Sequence, residues 1–137
     1  MAQLLNPGCL PPLNPEALQQ LTSGRLRVFG TGATRDLDND KLDYEGYLSP
    51  KVIKRFAEYM RSHQSTAAGL RASDNWQNGI PRDAYMKSLL RHVMELWIEH
   101  RDSGPTPRNR VSFEDVLCAI MFNAMGYLFE LMREDFL

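Results

Sequence analysis

The chain has few cysteines and almost no net charge, and each shortage closes off a class of function. Cys9 and Cys118, its two cysteines, stand far apart and form no CxxC pair or Cys/His set with zinc spacing. A thiolate zinc site and a CxxC redox pair are therefore excluded, and both thiols are expected reduced, in a cytoplasmic setting. Sixteen Lys and Arg against seventeen Asp and Glu leave a net charge of -1. That balance lacks the basic footprint of sequence-independent nucleic-acid binding, although a nucleotide-sized ligand is compatible with it. The N-terminal stretch MAQLLNPGCLPPLNPEALQQL has no basic leader and is broken by prolines, so it is read as neither signal peptide nor anchor. No apolar run is seen to reach the ~20 residues a membrane span needs, and no membrane partner is expected. No alternation of period 2 announces a β-hairpin, and no internal repeat is present.

What remains is a helical pattern behind an irregular first third. A chain of 137 residues, 43% hydrophobic and 24% charged, is long enough for one domain spanning 1–137 with a core of its own. Residues 1–15 hold four of the eight prolines and form an irregular extension, after which NPEALQQL has the opening of a short helix. GTGATRDLDNDKLDYEGYLSP is expected to be mostly loop. Ser49 then caps a helix over 50–62 with Pro50 in its first turn and Val52, Ile53, Phe56 and Met60 on its buried side. SDNWQNGIPRD is a loop closed by Gly79 and Pro81, and a second helix runs over 82–100. After the loop RDSGPTPRN, Ser112 and Asp115 have capping-box spacing, and a last helix, apolar nearly all round, runs towards Glu134. The expected fold is all-α, a compact bundle of three main helices with a loop-rich N-terminal third. Met-rich and aromatic helix faces on so short a set point to completion by homo-oligomerisation.

Two of these helices carry residues suited to chemistry. In RHVMELWIEHR, at about 100° per residue, Ser88, His92, Glu95 and Glu99 fall within roughly 60° of one another, with Leu89, Leu90, Val93, Met94, Trp97 and Ile98 on the other side. The stripe has two acids, an imidazole and no lysine, unlike an ordinary solvated face. On the last helix Asp115, Ala119, Asn123 and Gly126 share one line, and the two small residues leave room for another helix or a ligand. Antiparallel packing of the two helices would bring Glu95 and Glu99 to face Asp115, an oxygen-rich set suited to magnesium or manganese. Each feature also has a plain structural reading. The stripe fits an exposed face, Glu114 and Asp115 fit charges at a helix start, and Asn123 fits a side chain bonded to nearby backbone. Glu99 fits a local pair with Arg101 or the following loop, and DNW fits a capping turn with an anchoring tryptophan. GTGATRD has glycines suited to phosphate but lacks the P-loop order.

In combination the blocks TGATRDLDNDKLDYEGYLSP, RFAEYMRSH, SDNWQNGIP, YMKSLLRHVMELWIEHR and EDVLCAIMFNAMGYL, over roughly residues 30–130, resemble a phage-associated family. It is the dATP/dGTP diphosphohydrolase N-terminal domain family, related to the MazG-like all-α pyrophosphohydrolases. The resemblance implies hydrolysis of purine deoxynucleoside triphosphates to the monophosphate and pyrophosphate, assisted by Mg2+ or Mn2+, in the host cytoplasm if the chain is phage-encoded. It places Arg35, Asp36 and Lys41 in the N-terminal block and Asn75 and Trp76 in the DNW block. Arg91, His92, Glu95, Glu99 and His100 fall in the helix block, and Glu114, Asp115 and Asn123 in the last. Glu95, Glu99 and Asp115 would hold metal, with His92 and Glu95 catalytic. Arg35, Asp36, Lys41, Asn75, Trp76, Arg91 and Asn123 would bind the nucleotide. The chain departs from the ExxE and ExxD elements of the wider superfamily, having HxxExxxE on one helix and ED followed by Asn123 on the next. The alternative expectation is a non-enzymatic helical phage protein that binds a nucleotide or a host protein.

Overall fold

The computed structural model describes Pro15, residues 26–37 and residues 41–135. The short helix expected over NPEALQQL lies outside the described residues apart from Pro15, as does Cys9. The chain divides into two compact units, Met1–Tyr44 and Glu45–Leu137.

In the first unit the expectation of no β-hairpin is corrected. Leu26–Val28 (β1) and Thr34–Asp36 (β2) pair antiparallel, Leu26 opposite Asp36 and Val28 opposite Thr34. The turn between them closes with Phe29 N–H donating to the Ala33 carbonyl at 2.8 Å and Gly32 N–H to the Phe29 carbonyl at 2.9 Å. Gly32 has φ 85°, a left-handed conformation that a residue with a β-carbon adopts at a cost. Strands of three residues are too short for a period of 2 to show, so the hairpin is carried by its turn. The short helix α1 (Tyr44–Tyr47) comes next along the chain.

The second unit holds the three long helices that the hydrophobic pattern predicts. Helix α2 (Pro50–Ser62) opens at Ser49, whose hydroxyl accepts from Val52 N–H at 3.4 Å, with Pro50 where its missing N–H costs nothing. Its expected buried side is corrected in part. Phe56 and Met60 are half-buried, whereas Val52 and Ile53 are about half exposed. A second unexpected hairpin, Ser65–Thr66 (β3) with Gly69–Leu70 (β4), lies beyond α2. The DNW segment then winds into a 3-10 turn, Asn75–Asn78, ended by Gly79 at φ 117°.

Helix α3 (Arg82–Ser103) runs one turn further than expected and stops at Gly104. Helix α4 (Arg110–Glu134) ends where predicted but starts earlier, which corrects the capping box. Asn109 is the cap, its side-chain oxygen accepting from Ser112 N–H at 3.2 Å, and Ser112 lies inside the helix. Helices α3 and α4 pack antiparallel: Arg82 pairs with Glu134 at 3.1 Å near one end, while Leu96 and Glu99 meet Ser112 and Val116 near the other. The small residues of α4 set this approach, because a β-carbon at Gly126 would overlap the ring of Tyr85, which is buried. Arg133 and Glu130 hold the DNW segment from below, donating to the Gln77 carbonyl at 3.1 Å and accepting from Ile80 N–H at 3.2 Å.

The helices are more apolar than their burial requires. Tyr85, Cys118 and Ala119 are the buried hydrophobic residues among those described, a small core for helices of this composition. Helix α4 has a mean hydropathy of 1.4 over its most apolar stretch and, by length and composition, is long enough to cross a membrane. This corrects the expectation that no run reaches that length: Asn123 and Gly126 interrupt the apolar residues without lowering their average enough.

Candidate functional site

The polar stripe of α3 is turned inwards except at Glu95, which is exposed. Ser88, His92 and Glu99 are half-buried on the same side as Tyr85, Leu89 and Leu96, while Leu90, Val93, Met94, Trp97 and Ile98 are exposed. The sequence showed both faces but not which one the fold would cover. Helix α4 is the reason for the choice, since Gly126 admits Tyr85 at close range while Ser112, Phe113 and Val116 meet Glu95, Leu96 and Glu99.

Within the stripe each acid has its own partner. His92 Nδ1 lies 2.9 Å from Glu95 Oε2, one turn along the same helix. Glu99 accepts from Ser103 Oγ at 2.7 Å and from Arg108 N–H at 3.4 Å. These hydrogen bonds hold the Glu99 carboxyl below the usual range, the Ser103 hydroxyl acting most and partial burial opposing it. Glu95 and Glu99 nevertheless line one cleft of about 270 Å3, together with Arg108, Asn109, Ser112 and Phe113.

Asp115 is drawn the other way. Arg55, on α2, donates to Asp115 Oδ1 at 2.6 Å and to Glu114 Oε2 at 2.8 Å, and Arg110 reaches Glu114 Oε1 at 2.9 Å. The two arginines hold the Glu114 carboxyl low, Arg55 foremost, and the paired acids, Glu114 first, push the Arg55 guanidinium still higher. Among the described residues, no group of three or more His, Cys, Asp and Glu side chains is gathered as an ion would need. The structure therefore brings Glu95 and Glu99 into one cleft and engages Asp115 with Arg55.

A second cavity, of about 200 Å3, is lined by aromatics and amides, among them Tyr59, His63, Asn75, Trp76 and Phe122. Trp76 is anchored edge-on against Phe129, centroids 4.9 Å apart, and against Phe122 at 6.4 Å. Tyr59 joins this cavity to the acids. It lines the aromatic wall, and its hydroxyl is pushed up first by burial and then by the negative charges of Asp115, Cys118 and Glu95. The Cys118 thiol is likewise raised by its burial.

The other predicted residues have simpler surroundings. Asn123 donates from Nδ2 to the Ala119 carbonyl at 2.8 Å, so the buried amide satisfies its own helix. Arg91 donates to Ser88 Oγ at 2.9 Å on an exposed face, and His100 lies near Val93, Leu96 and Trp97. Arg35 and Asp36 are exposed on β2 of the first unit, and Lys41 comes after them in that unit. Two arginines were missed. Arg55 stands in RFAEYMRSH one turn before Tyr59, and Arg108 stands in the loop that returns over Glu99. An arginine next to Phe56 on the inner side of an amphipathic helix was the available signal for the first.

Comparison with protein-family models, with curated proteins and with solved structures gives no match.

Proposed function

We propose that this groove hydrolyses purine deoxynucleoside triphosphates to the monophosphate and pyrophosphate. The observation that carries the reading is the orientation of α3, which turns His92 and Glu99 inwards beside Tyr85, Leu89 and Leu96 and leaves Leu90, Val93, Met94, Trp97 and Ile98 outside. Burying polar groups in place of available leucines is unfavourable unless those groups are used or paired. The donor set fits an oxygen-preferring ion in chemistry, since Glu95 and Glu99 share a cleft with the amide of Asn109 and the hydroxyl of Ser112. Asp115 would join only on release from Arg55. Bound Mg2+ or Mn2+ would offset charge on the phosphates and lower the pKa of a water.

The chain's own residues supply the rest. With Nδ1–H donated to Glu95, His92 keeps Nε2 as the nitrogen able to take the proton of an attacking water. Water adds at the α-phosphorus as the bond to the bridging oxygen breaks, and pyrophosphate carries away the bonding pair. Arg108 lines the acid cleft and would meet the leaving phosphates, where the sequence reading had Arg35, Lys41 and Arg91 as the candidate cations. The aromatic cavity beside Tyr59 and Trp76 suits a planar base.

A second reading, a helical protein that binds a nucleotide or a host protein without turnover, is favoured by the engagement of Asp115 with Arg55. Incubating the full chain with each common deoxynucleoside triphosphate, with and without Mg2+ or Mn2+, separates the two by phosphorus NMR. Monophosphate plus pyrophosphate, formed only with the ion, is the expected result. A diphosphate plus inorganic phosphate would show cleavage of the wrong bond, and intact triphosphate bound to the protein would favour the second reading.

A further inference from the structure

The cavity beside Trp76 has a polar wall of fixed chemical sense. His63 and Gln64, the two residues after α2, both line it. His63 Nδ1 lies 2.9 Å from the Tyr59 carbonyl, which can only accept, so Nδ1 carries the ring proton and Nε2 of the neutral ring is an acceptor. Ser62 Oγ agrees with this tautomer. It gives its own proton to the same carbonyl at 2.6 Å and so can only accept from Nδ1, 3.0 Å away. Gln64 is oriented by the same logic: its Nε2 donates to the Arg71 carbonyl at 3.3 Å, which leaves the amide oxygen as its open end. Arg71 N–H returns a bond to the Gln64 carbonyl at 2.9 Å, so the pair is held in place. The wall therefore offers two acceptors on adjacent residues, and Arg71 and Asn75 are donors on the same lining.

We propose that His63 and Gln64 select the base of the bound nucleotide, taking guanine over adenine, an inference that rests on the reading of this cavity as the place of the base. A volume of about 200 Å3 is below the ~300 Å3 at which pockets for whole ligands begin, so the cavity takes a heterocycle and leaves sugar and phosphates outside. Tyr59 and Trp76 offer faces that suit either purine, so the choice falls to the polar wall. Guanine carries N1–H and its 2-amino group side by side, two donors for two acceptors, with O6 next to them for Arg71 or Asn75. Adenine has a lone pair at N1 and nothing to donate at C2. Against the same wall it pairs its one amino group and leaves the other acceptor unmatched, which costs more than a hydrogen bond gains.

Deoxynucleosides test this without metal or cleavage, so the result is independent of the hydrolysis assay. In NMR titrations of the full chain, followed at the Trp76 indole N–H with Trp97→Phe telling the two indole signals apart, deoxyguanosine should bind about tenfold more tightly than deoxyadenosine. Deoxyinosine, which lacks the 2-amino group, should fall between them. His63→Phe keeps a ring against Tyr59 and removes the acceptor, so it should weaken deoxyguanosine and leave deoxyadenosine nearly unchanged. Equal weakening of both in that variant would make His63 a structural residue and overturn the proposal. So would equal binding of the two deoxynucleosides to the wild type, or no binding of either, even if triphosphates are cleaved. Guanine-selective binding in a chain that cleaves nothing would uphold the base site and sink the hydrolysis.

Discussion

Arg55 on α2 places its guanidinium 2.6 Å from the carboxylate of Asp115 on α4. With Glu114 at 2.8 Å, one cation joins two neighbouring acids and so ties α2 to the start of α4. Arg55→Gln should leave Asp115 without its cation and Glu114 with Arg110 alone, lowering the melting temperature at neutral pH. If Asp115 is a latent metal ligand, the same variant should gain more stability from added Mg2+ than the wild type does, through linkage. Thermal melts of both proteins with and without the ion would show it. Equal gains in the two would mean that Arg55 does not compete for a metal position.

The contact of Tyr85 with Gly126 fixes how near α3 comes to α4, and it makes a sharper stability test. A β-carbon at position 126 overlaps the tyrosine ring, which is 2% exposed and has little space to retreat. Gly126→Ala should therefore cost about 1–3 kcal/mol, as overpacking does, in spite of alanine's better helix propensity. The Tyr85 hydroxyl is buried without a hydrogen-bond partner among the described residues, and burial pushes its pKa up. Tyr85→Phe should then be neutral or slightly stabilising. Urea unfolding of the two variants checks both signs.

The sequence could show the helices because their periods and punctuation are local. Pro50 after Ser49 marks a start that depends on nearby backbone alone, whereas the stop of α3 at Gly104 lay beyond the end read at residue 100. The inward face of α3 was not legible, because the hydrophobic pattern gives two sides and only the close approach at Tyr85 and Gly126 selects one. The acid site was half legible. Glu95 and Glu99 do share a cleft, but Arg55 comes from a helix whose packing no spacing revealed, and it takes Asp115. The hairpin at β1 and β2 was hidden by strands too short to show alternation.

The start of α4 offers two residues of capping type, and the structure selects Asn109 over Ser112. Since Asn109 accepts from Ser112 N–H at 3.2 Å, Asn109→Ala should cost about 1 kcal/mol. Ser112→Ala should stay within about 0.5 kcal/mol. Reversed magnitudes in chemical denaturation would put the helix start at Ser112.

Acid should weaken the fold through Glu114 and Glu99. The Arg55 and Arg110 bonds lower the pKa of Glu114, and the Ser103 and Arg108 bonds lower that of Glu99. A carboxyl held below its unfolded value of about 4.3 contributes stability that is complete above that value and is lost as pH falls through the lowered one. The contribution of these two groups to the melting temperature should be level above about pH 5 and should decline below about pH 4. Glu114→Gln should flatten that acid limb. An unchanged limb in the variant would show that other carboxyls control it.

The last prediction separates chemistry from scaffold within the cleft. Glu95 is exposed at its carboxylate and pairs with His92 on its own helix, so Glu95→Gln removes a charge without disturbing a contact between helices. It should lower turnover of dATP and dGTP by about a hundredfold or more, on the order of what a positioned acid or base contributes, while leaving the helical signal and melting temperature nearly unchanged. Glu99→Gln should reduce turnover too, but it also weakens the bonds from Ser103 and Arg108 that close the loop over the cleft, so a lower melting temperature should accompany it. His92→Gln, which keeps hydrogen-bonding capacity but has no ring nitrogen to take a proton, should remove most of the rate while leaving the fold intact. Full activity in Glu95→Gln with intact folding would end the assignment of the stripe to catalysis. Loss of activity only in variants that also lose stability would make the stripe a structural element.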